Sequence, residues 1–511
     1  MDDLLREFQS LLNQSSGKGL AGSIDILLTQ MDIEAAQYLK LCAIPHQFDP
    51  TVIQALVPEL NEAHSKSFYN EFENLSITLS LKKESAFHDE ARLHLFNQWL
   101  MPDKKQEFRE ASQNLVEYYE KRAAGVEGIE QENMKRNRMF HLLGVNQHHG
   151  FGEFKQLFQE MWHQYRLSEC KTLINLVHEY DKVLEETNQL WLISYEGMLA
   201  SDLRQWPRTE SLFHRILNYS ELPVELNIKT LNRLGIAFAK QRKNQAAIEK
   251  FQKALELAQS SPENVELIDN IMHDLGSVYR DSGELKKAEK FLTMGLELAT
   301  KENDLATMAL IYNGFGRLQR KLGNSHEAIR MFQESLHCLN ENKDLFRPAQ
   351  VYNNLGMTFA DIREWEKSKE VLQNSLEIKR KAGDTRGQAM ALSNLVRVYR
   401  NLDKPDEAVK VSLQAVGLFE QMKDKYHVAL VKRNLGKLYR SMNNYDLAKQ
   451  YLKEAIELFE QSKETREVQA TQIDFSSVTK QQKKAEKRGV PWWIWLILIV
   501  IIVLLVLLFT G

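Results

Sequence analysis

The apolar and small residues of positions 225–463 recur with a period of forty. Each of six segments places an apolar residue before a small one and, in five of the six, an aromatic residue three positions after it. The residues at the small position are Gly235, Gly276, Gly316, Gly356, Val396 and Gly436. Their spacing is 41 residues once and 40 residues four times. Repetition at a fixed period of this length predicts a stack of identical helical units.

Two further small residues follow in each copy, twelve and nineteen positions after the first. In the second copy they are Ala288 and Gly295. Polar turns such as DSGELKK and NLDKPDE separate the two halves of a copy. The pattern therefore predicts helical hairpins in which small residues let two helices approach closely. Because a single hairpin cannot bury its own apolar face, we expect the hairpins to stack into a solenoid.

This L-G-x-x-Y…A…A pattern resembles the tetratricopeptide repeat family, in its longer variant of about forty residues. The resemblance covers residues 225–463. Three positions depart from the pattern, because Val396 replaces Gly, Gln319 occupies the aromatic position and Phe315 replaces Leu. The resemblance implies an all-α solenoid of about six regular hairpins that binds a protein or peptide partner on its concave surface.

The resemblance also indicates which side chains line that concave groove: those three before, one after and four after the small position of each first helix. Most are basic, and asparagines recur two positions before the small residue. The predicted groove residues are Arg280, Asn313, Arg317, Arg320, Asn353, Asn354, Asn394, Arg397, Arg400, Arg433, Asn434, Lys437 and Arg440. Guanidinium groups bind carboxylates bidentately, so we expect an acidic peptide ligand. The alternative is that these arginines are solvated or pair with acidic residues of the next repeat. Nucleic acid is a less favoured ligand, because few aromatic residues for base stacking lie among them.

Residues 25–125 do not follow the repeat. Two helical patterns, broken near Pro45 and Pro50, precede LSITLSLKKESAFH, which alternates like a β-hairpin, and another helical pattern follows. This order predicts a small winged-helix-like domain and resembles the winged-helix segment of signal-transduction ATPases with numerous domains (STAND). Phe87-His88-Asp89 resembles the Met-His-Asp motif of that family, whose His senses bound nucleotide. His88 and Arg92 are therefore candidate regulatory residues.

The ATPase domain of that family has no counterpart in this sequence. Residues 1–24 are predicted to form a helix and a loop, and SSGKG at residues 15–19 lacks the Gly and the Ser or Thr that a phosphate loop requires. His88 is thus also compatible with a capping or core role. Residues 126–224 are predicted to form degenerate helical hairpins.

The end of the sequence is apolar. Residues 490–509 contain no charged residue, follow the basic stretch KQQKKAEKR and carry three tryptophans at one end. About twenty apolar residues match the thickness of a bilayer, and basic flanks remain on its cytoplasmic side. The sequence predicts a C-terminal transmembrane helix over residues 490–509, with the N-terminal bulk in the cytoplasm. Residues 464–489 are predicted to be a polar, basic, flexible linker.

Composition narrows the functional classes. The formal net charge of −3 describes a chain without an overall excess of positive charge. The candidate recognition segment of the winged helix, residues 64–73, has one Lys against two Glu, so no nucleic acid partner is expected. Three widely spaced cysteines predict neither a disulfide framework nor a zinc site. No catalytic, cofactor or metal motif occurs, so neither an enzyme nor a cofactor is predicted.

The combined prediction is a membrane-anchored interaction scaffold with a tetratricopeptide groove. The alternative is the sensor half of a STAND-like signalling system that works with an ATPase on another chain. A DNA-binding regulator is the least favoured, and an enzyme would require a deep pocket within residues 126–224.

Overall fold

The computed structural model describes residues 19–81, 84–164, 166–487, 497 and 499–502. The chain separates into two compact units, Met1–Asn264 and Val265–Gly511. Helices dominate the described part of both units. The division falls inside the predicted solenoid, between its first and second repeats.

The first unit begins with helices and a short β-hairpin. The elements are α1 (Gly19–Gln30), α2 (Ile33–Leu41), α3 (Pro50–Leu56), α4 (Glu62–Phe72), β1 (Thr78–Ser80), β2 (Ser85–Phe87) and α5 (Asp89–Trp99). The strands are antiparallel, with Thr78 opposite Phe87 and Ser80 opposite Ser85. Phe48 extends the sheet through a bridge to Ser85. This is the predicted order of helices, hairpin and helix, and its assignment as a winged helix stays a prediction.

Helices alone form the rest of this unit. After a 3-10 turn (Pro102–Lys104) come α6 (Lys105–Ala123), α7 (Gly128–Val145), α8 (Gln147–His163), α9 (Leu167–His178), α10 (Glu186–Asp202), α11 (Trp206–Leu217), α12 (Val224–Lys240) and α13 (Asn244–Gln259). Phe96, Phe108, Phe140 and Tyr180 form an aromatic core with ring centroids 5.1 to 6.3 Å apart. This core joins α5 to α6, α7 and the end of α9.

The second unit is a row of five helical hairpins followed by a single helix in the described chain. A 3-10 segment (Pro262–Leu267) leads into α14 (Ile268–Ser282), α15 (Leu285–Glu302), α16 (Leu305–Leu322), α17 (Ser325–Glu341), α18 (Pro348–Asp361), α19 (Trp365–Lys381), α20 (Thr385–Asn401), α21 (Pro405–Gln421), α22 (Lys425–Ser441), α23 (Tyr445–Gln461) and α24 (Thr465–Lys487). Each second helix packs on the first helix of the next hairpin, and α14, α16, α18 and α20 also contact one another in succession. We call the side on which these first helices meet the inner face.

A small residue on the first helix and a bulky residue sixteen positions later close each hairpin. A Cβ added at Gly316 would lie 2.5 Å from Cε1 of Phe332, which is too close for any side chain. The same relation holds at Gly197, Gly235, Gly276, Gly356 and Gly436. Val396 is the exception, and sixteen positions after it stands the fully buried Ser412. Large and small residues have exchanged places there, which explains how the repeat tolerates this departure.

Left-handed residues end the helices of the second unit at intervals of twenty. They are Gly283, Asn303, Gly323, Lys343, Arg363, Gly383, Asp403, Lys423, Asn443 and Lys463. A positive φ is easy for Gly and costs most other residues about 1–2 kcal/mol, so the turn geometry prevails over local preference at the three lysines and at Arg363. The forty-residue period therefore consists of two equal halves, each a helix and its turn.

A hairpin of the same kind occurs within the predicted degenerate region. Gly197 on α10 faces Phe213 on α11, and a Cβ added at Gly197 would lie 2.5 Å from Cε1 of Phe213. Gly197 precedes Gly235 by 38 residues rather than forty. The shorter interval explains why the fixed period did not identify this copy.

The segment predicted as a flexible linker is largely a helix. α24 packs on both helices of the last hairpin. Val478 is 1% exposed and lies in a cluster with Ala448 and Leu452, and Phe475 packs against the same cluster. Only one narrow face of α24 is apolar, so its polar majority concealed the helical spacing of Thr471, Phe475 and Val478 in the sequence.

The predicted C-terminal transmembrane helix requires correction. Among the residues that the structure describes, no helix combines the length and the apolar character needed to cross a bilayer. Of residues 490–509, only Ile497 and residues 499–502 are described, and they are helical; the other positions lie outside the described residues. The predictions of a transmembrane helix and of a single-pass membrane localisation are therefore wrong for the structure as described.

The contact between Gly316 and Phe332 makes a first testable prediction. Gly316→Ala should lower the free energy of unfolding by about 1–3 kcal/mol, because the added methyl group overpacks the hairpin. This loss should occur although Ala favours a helix interior by about 1 kcal/mol over Gly. Urea denaturation followed by circular dichroism measures the change.

Gly417 is the matched control. It lies inside α21 with no atom within 4 Å of an added Cβ. Gly417→Ala should therefore raise the free energy of unfolding by about 0.5–1 kcal/mol. Equal effects of the two substitutions would show that the glycine–phenylalanine contact does not constrain the hairpin.

The packing of α24 makes a second prediction. Val478→Asp buries a carboxylate among apolar side chains and should release α24 at a cost of about 3 kcal/mol or more. Hydrogen exchange should then accelerate in α23 and α24 while α14 to α18 keep their protection. Ile473→Asp, at a position 71% exposed on the same helix, should leave exchange unchanged. Unaltered protection in the Val478 variant would show that α24 is not held by this face.

Candidate partner-binding groove

The predicted groove residues all lie on first helices of the second unit. α14 carries one of them, α16 three, α18 two, α20 three and α22 four. Most of those with a side-chain partner bind a residue of the next or the preceding first helix. The polar side chains of the inner face therefore differ in how far they are already paired within the protein. Those that are not paired remain available to bind a ligand.

The asparagines of this row bind one another. Asn354 Nδ2 donates to Asn313 Oδ1 at 2.9 Å, and Asn394 Nδ2 donates to Asn353 Oδ1 at 2.8 Å. Each bond joins two successive first helices and spans 41 residues of sequence. These carboxamides were predicted to bind a peptide backbone, and the structure uses part of their hydrogen-bonding capacity between repeats. Asn434 is exposed.

Two groove arginines share one carboxylate in the middle of the row. Arg320 Nε donates to Asp361 Oδ2 at 2.7 Å, and Arg397 Nη1 donates to Asp361 Oδ1 at 3.1 Å. Asp361 ends α18, so it lies between α16 and α20. This pairing matches the alternative expectation that the arginines bind acidic residues of the neighbouring repeats, although two cations share a single anion.

The basic residues of α22 are covered by α24. Arg433 Nε donates to Asp474 Oδ2 at 2.7 Å and its Nη1 donates to Glu467 at 2.9 Å. Lys437 Nζ lies 3.1 Å from the same Asp474 carboxylate. Asp474 stands forty residues after Asn434, so α24 occupies the place of a further first helix. Arg440 Nη1 donates to Ser477 Oγ at 3.3 Å on this helix.

The arginines at the other end of the row are poorly neutralised. Arg280 is only 2% exposed, and its Nε donates to Asp281 Oδ1 at 2.9 Å. Arg317 makes no hydrogen bond or ion pair with any described residue. Burial, with Arg280 and Arg320 nearby, lowers the pKa of Arg317 to about 10, so the side chain still carries its charge at neutral pH. Arg400, on α20, is exposed and likewise has no partner among the described residues.

Arg92, a candidate regulatory residue, is buried in the first unit. Its Nη1 donates to Glu179 Oε2 at 2.6 Å, and Nε and Nη2 donate to the carbonyl oxygens of Pro45 and Ile44, each at 3.1 Å. These bonds satisfy all three nitrogens and connect α5 with the loop after α2 and with the end of α9. The geometry is that of a structural ion pair.

His46 completes this buried network. Its Nε2 lies 2.9 Å from Glu179 Oε1, and its ring packs edge-on against Phe140 at 4.6 Å between centroids. Burial lowers the pKa of His46, and the positive charge of Arg92 acts in the same direction. Burial opposes the ionisation of Glu179, but its bonds to His46 and Arg92 lower its pKa on balance. Glu179 and Arg92 therefore form the charged pair and His46 a neutral third member.

His88 has the opposite environment. It is exposed at the residue before α5, and its backbone N–H donates to the carbonyl of Ile77 at 3.0 Å. Its side chain does not cap the helix. The two candidate regulatory residues are thus one turn apart in sequence but differ completely in accessibility.

A cavity of about 480 Å³ lies in the first unit and reaches the region from 126 to 224. Glu84, Tyr119, Arg122 and Arg136 contribute to its lining, together with residues of α3 and α9. Burial and the nearby carboxylate of Asp49 raise the pKa of Glu84. Its described lining is mostly polar and charged and includes His46, Tyr118 and Thr172, with no serine or cysteine among these residues.

Comparison with known families identifies the repeats. The tetratricopeptide repeat profile matches residues 226–301, 267–341, 347–421 and 388–461. The prediction of tetratricopeptide repeats is therefore confirmed, and such repeats indicate protein–protein interaction. They are generally non-catalytic modules.

The fold resembles that of a STAND protein with a tetratricopeptide repeat sensor from Pyrococcus horikoshii, at a TM-score of 0.52 and 14% identity. The match covers 93% of this chain and 63% of that structure, so the chain spans less than two thirds of its length. Similarity also extends to a Rap protein in complex with competence and sporulation factor (TM-score 0.45, 13% identity, 65% of this chain and 97% of that one). The Rap conjugation gene regulator of plasmid pLS20, in complex with the Phr* peptide, gives a TM-score of 0.45 at 15% identity, over 70% and 97% of the two chains. No curated protein sequence matches the chain.

The two regulatory candidates make a testable prediction. Arg92→Ala should destabilise the protein by about 3–5 kcal/mol, because it leaves the Glu179 carboxylate buried without its charged partner. His88→Ala should change the free energy of unfolding by less than about 0.5 kcal/mol. Chemical denaturation of both variants tests this difference, and a small effect of Arg92→Ala would show that the pair is not structural.

Proposed function

We propose that the inner face of the second unit binds an acidic segment of a partner protein, and that the chain works as an interaction scaffold. The observation that carries this proposal is the unequal charge balance of the groove. Arg280, Arg317 and Arg400 have little or no neutralisation by described residues, and one carboxylate serves both Arg320 and Arg397. A ligand carboxylate would supply the missing negative charge.

Guanidinium chemistry favours this class of ligand. A carboxylate can accept two parallel N–H bonds from one guanidinium, and hydrogen bonds to charged groups contribute about 1.5–3 kcal/mol each. On α18, in the middle of the inner face, Met357 occupies the position that Arg317 and Arg397 occupy on the neighbouring first helices. An extended segment with acidic residues on either side of an apolar one fits this order.

A second candidate function is the sensor half of a STAND-like signalling system. It is supported by the order of helices, hairpin and helix up to α5 and by the exposed position of His88 at the start of that helix. In this case an ATPase on another chain would dock at the front of the first unit. Complexes that are unchanged by His88→Ala would count against this candidate.

Charge reversal in the groove tests the scaffold proposal. The intact chain and an Arg317→Glu, Arg400→Glu double variant are used to capture partners from a cell extract, and each captured protein is then titrated in purified form. We expect the double variant to lose at least about a hundredfold in affinity, since each reversal removes an attraction and adds a repulsion. Binding to the intact chain should weaken as salt rises.

Arg330→Glu is the matched control. Arg330 lies on the second helix α17, its side chain is 62% exposed, and it pairs only with Glu327 on the same helix. Its reversal alters the net charge without touching the inner face. Equal binding by the intact chain and the double variant would show that the groove arginines are ordinary solvated surface, and an equal loss in the Arg330 variant would show non-specific charge attraction.

A further inference from the structure

We infer that Ser277, Arg280 and Arg317 form a site for a dianionic phosphoryl group at the α14–α16 end of the inner face. The inference rests on the proposed function, because it specifies which group an acidic ligand presents at this end. It assigns the phosphoryl group to the α14–α16 end of the inner face.

The three side chains hold hydrogen-bond donors that no described residue accepts from. Ser277 Oγ is buried without a partner, and neither Nη1 nor Nη2 of Arg280 makes a hydrogen bond with the described residues. Nη2 of Arg280 lies 2.9 Å from Asp281 Oδ1, the oxygen that already accepts from Nε, and Asp281 is 53% exposed. Arg317 has no hydrogen-bond or ion-pair partner at all among these residues.

Helix geometry brings these donors together. Ser277 and Arg280 are three residues apart, so they share a face of α14. Lys321, one turn beyond Arg317 on α16, donates from Nζ to the carbonyl oxygen of Arg280. This bond places that turn of α16 against the end of α14, and the charge of Arg280 is among the causes that disfavour the ionised form of Arg317.

The arrangement is unfavourable without an anion. Two guanidinium groups of like charge lie near each other, one of them 2% exposed, and a buried ion is stable only when it is paired and hydrogen-bonded. For Arg320, Arg397 and Arg433 the protein supplies that pairing through Asp361 and Asp474, and Arg400 is exposed to solvent. At this end the described residues supply the exposed Asp281, whose charge acts on both guanidinium groups, and an external anion would satisfy the remaining donors.

A phosphoryl group matches the donors better than a carboxylate does. A phosphate monoester carries nearly two negative charges at neutral pH and offers three strong acceptor oxygens. A single carboxylate carries one charge and offers two acceptor oxygens. Two guanidinium groups, a hydroxyl and the neighbouring Lys321 therefore correspond to a dianion with several acceptors. The source is a phosphorylated side chain of the partner segment or free inorganic phosphate.

Thermal unfolding of the full chain tests the site with inorganic phosphate as the probe and chloride at matched ionic strength as the reference. Saturating phosphate should raise the melting temperature of the intact chain by about 3 °C. It should have no effect beyond that of chloride on Arg317→Met. The Arg317→Met variant should itself melt about 2–4 °C higher than the intact chain in chloride, because a half-buried charge with no ion-pair partner among the described residues is replaced by an apolar side chain of similar length.

Ser277→Ala provides a second variant that keeps every charge. It should weaken phosphate binding by about fivefold without lowering the melting temperature in chloride, since the Ser277 hydroxyl has no hydrogen-bond partner among the described residues. Arg330→Met, outside the groove, should respond to phosphate as the intact chain does. The inference is overturned if phosphate and chloride give equal melting temperatures in the intact chain, or if phosphate stabilises Arg317→Met equally.

Peptide titrations separate this inference from the proposed function. A phosphoserine peptide should bind at least about tenfold more tightly than the same peptide with glutamate in that place, and Arg317→Met should abolish the difference. If both peptides bind equally and binding needs Arg400, the groove takes acidic segments but the phosphoryl site is refuted. If inorganic phosphate binds and neither peptide does, the site takes the free anion. If nothing binds, both the inference and the proposed function fail.

Discussion

The close contact between a small residue on one helix and a bulky residue sixteen positions later is the constraint on which the second unit depends. A Cβ at Gly316 would stand only 2.5 Å from the ring of Phe332. This contact therefore fixes the distance between the two helices of that hairpin. The turns then repeat every twenty residues, and each first helix presents the same phase to its neighbours. In the fifth repeat Val396 takes the first position and the buried Ser412 the second, so the larger residue stands on the other helix of that hairpin.

The regular spacing of small and apolar residues in the sequence made the helical hairpins of this unit predictable. The repeats follow from a spacing visible in the sequence, and so does the placement of the groove residues on the first helices. Pairing was not predictable, because Asp361 meets Arg320 across 41 residues and Arg397 across 36. The helical nature of residues 465–487 was missed since one narrow apolar face is enough for a helix that packs at an end. The apolar stretch beyond it suggested a bilayer-spanning helix, which the described residues do not form.

In the first unit, the positions of the two residues of one sequence motif depend on contacts made by distant parts of the chain. Arg92 and His88 belong to the same short stretch, yet a carboxylate 87 residues away draws Arg92 into the interior and leaves His88 at the surface. Burial of that pair depends on the aromatic core around Phe96 and Phe140, which also holds Arg92 beneath two ring faces at 5.1 and 5.6 Å. The motif alone specified neither contact.

The way α24 completes the row has a consequence for how a ligand is oriented. Its carboxylates pair with Arg433 and Lys437 of the last first helix, whereas α14 and α16 keep guanidinium nitrogens without hydrogen-bond partners among the described residues. The inner face therefore has an electrostatic gradient along its length rather than a uniform charge. A ligand bound there as proposed would meet different charges at its two ends, so one of its two possible directions would be favoured. The helix that ends the repeats thus also gives the groove a direction.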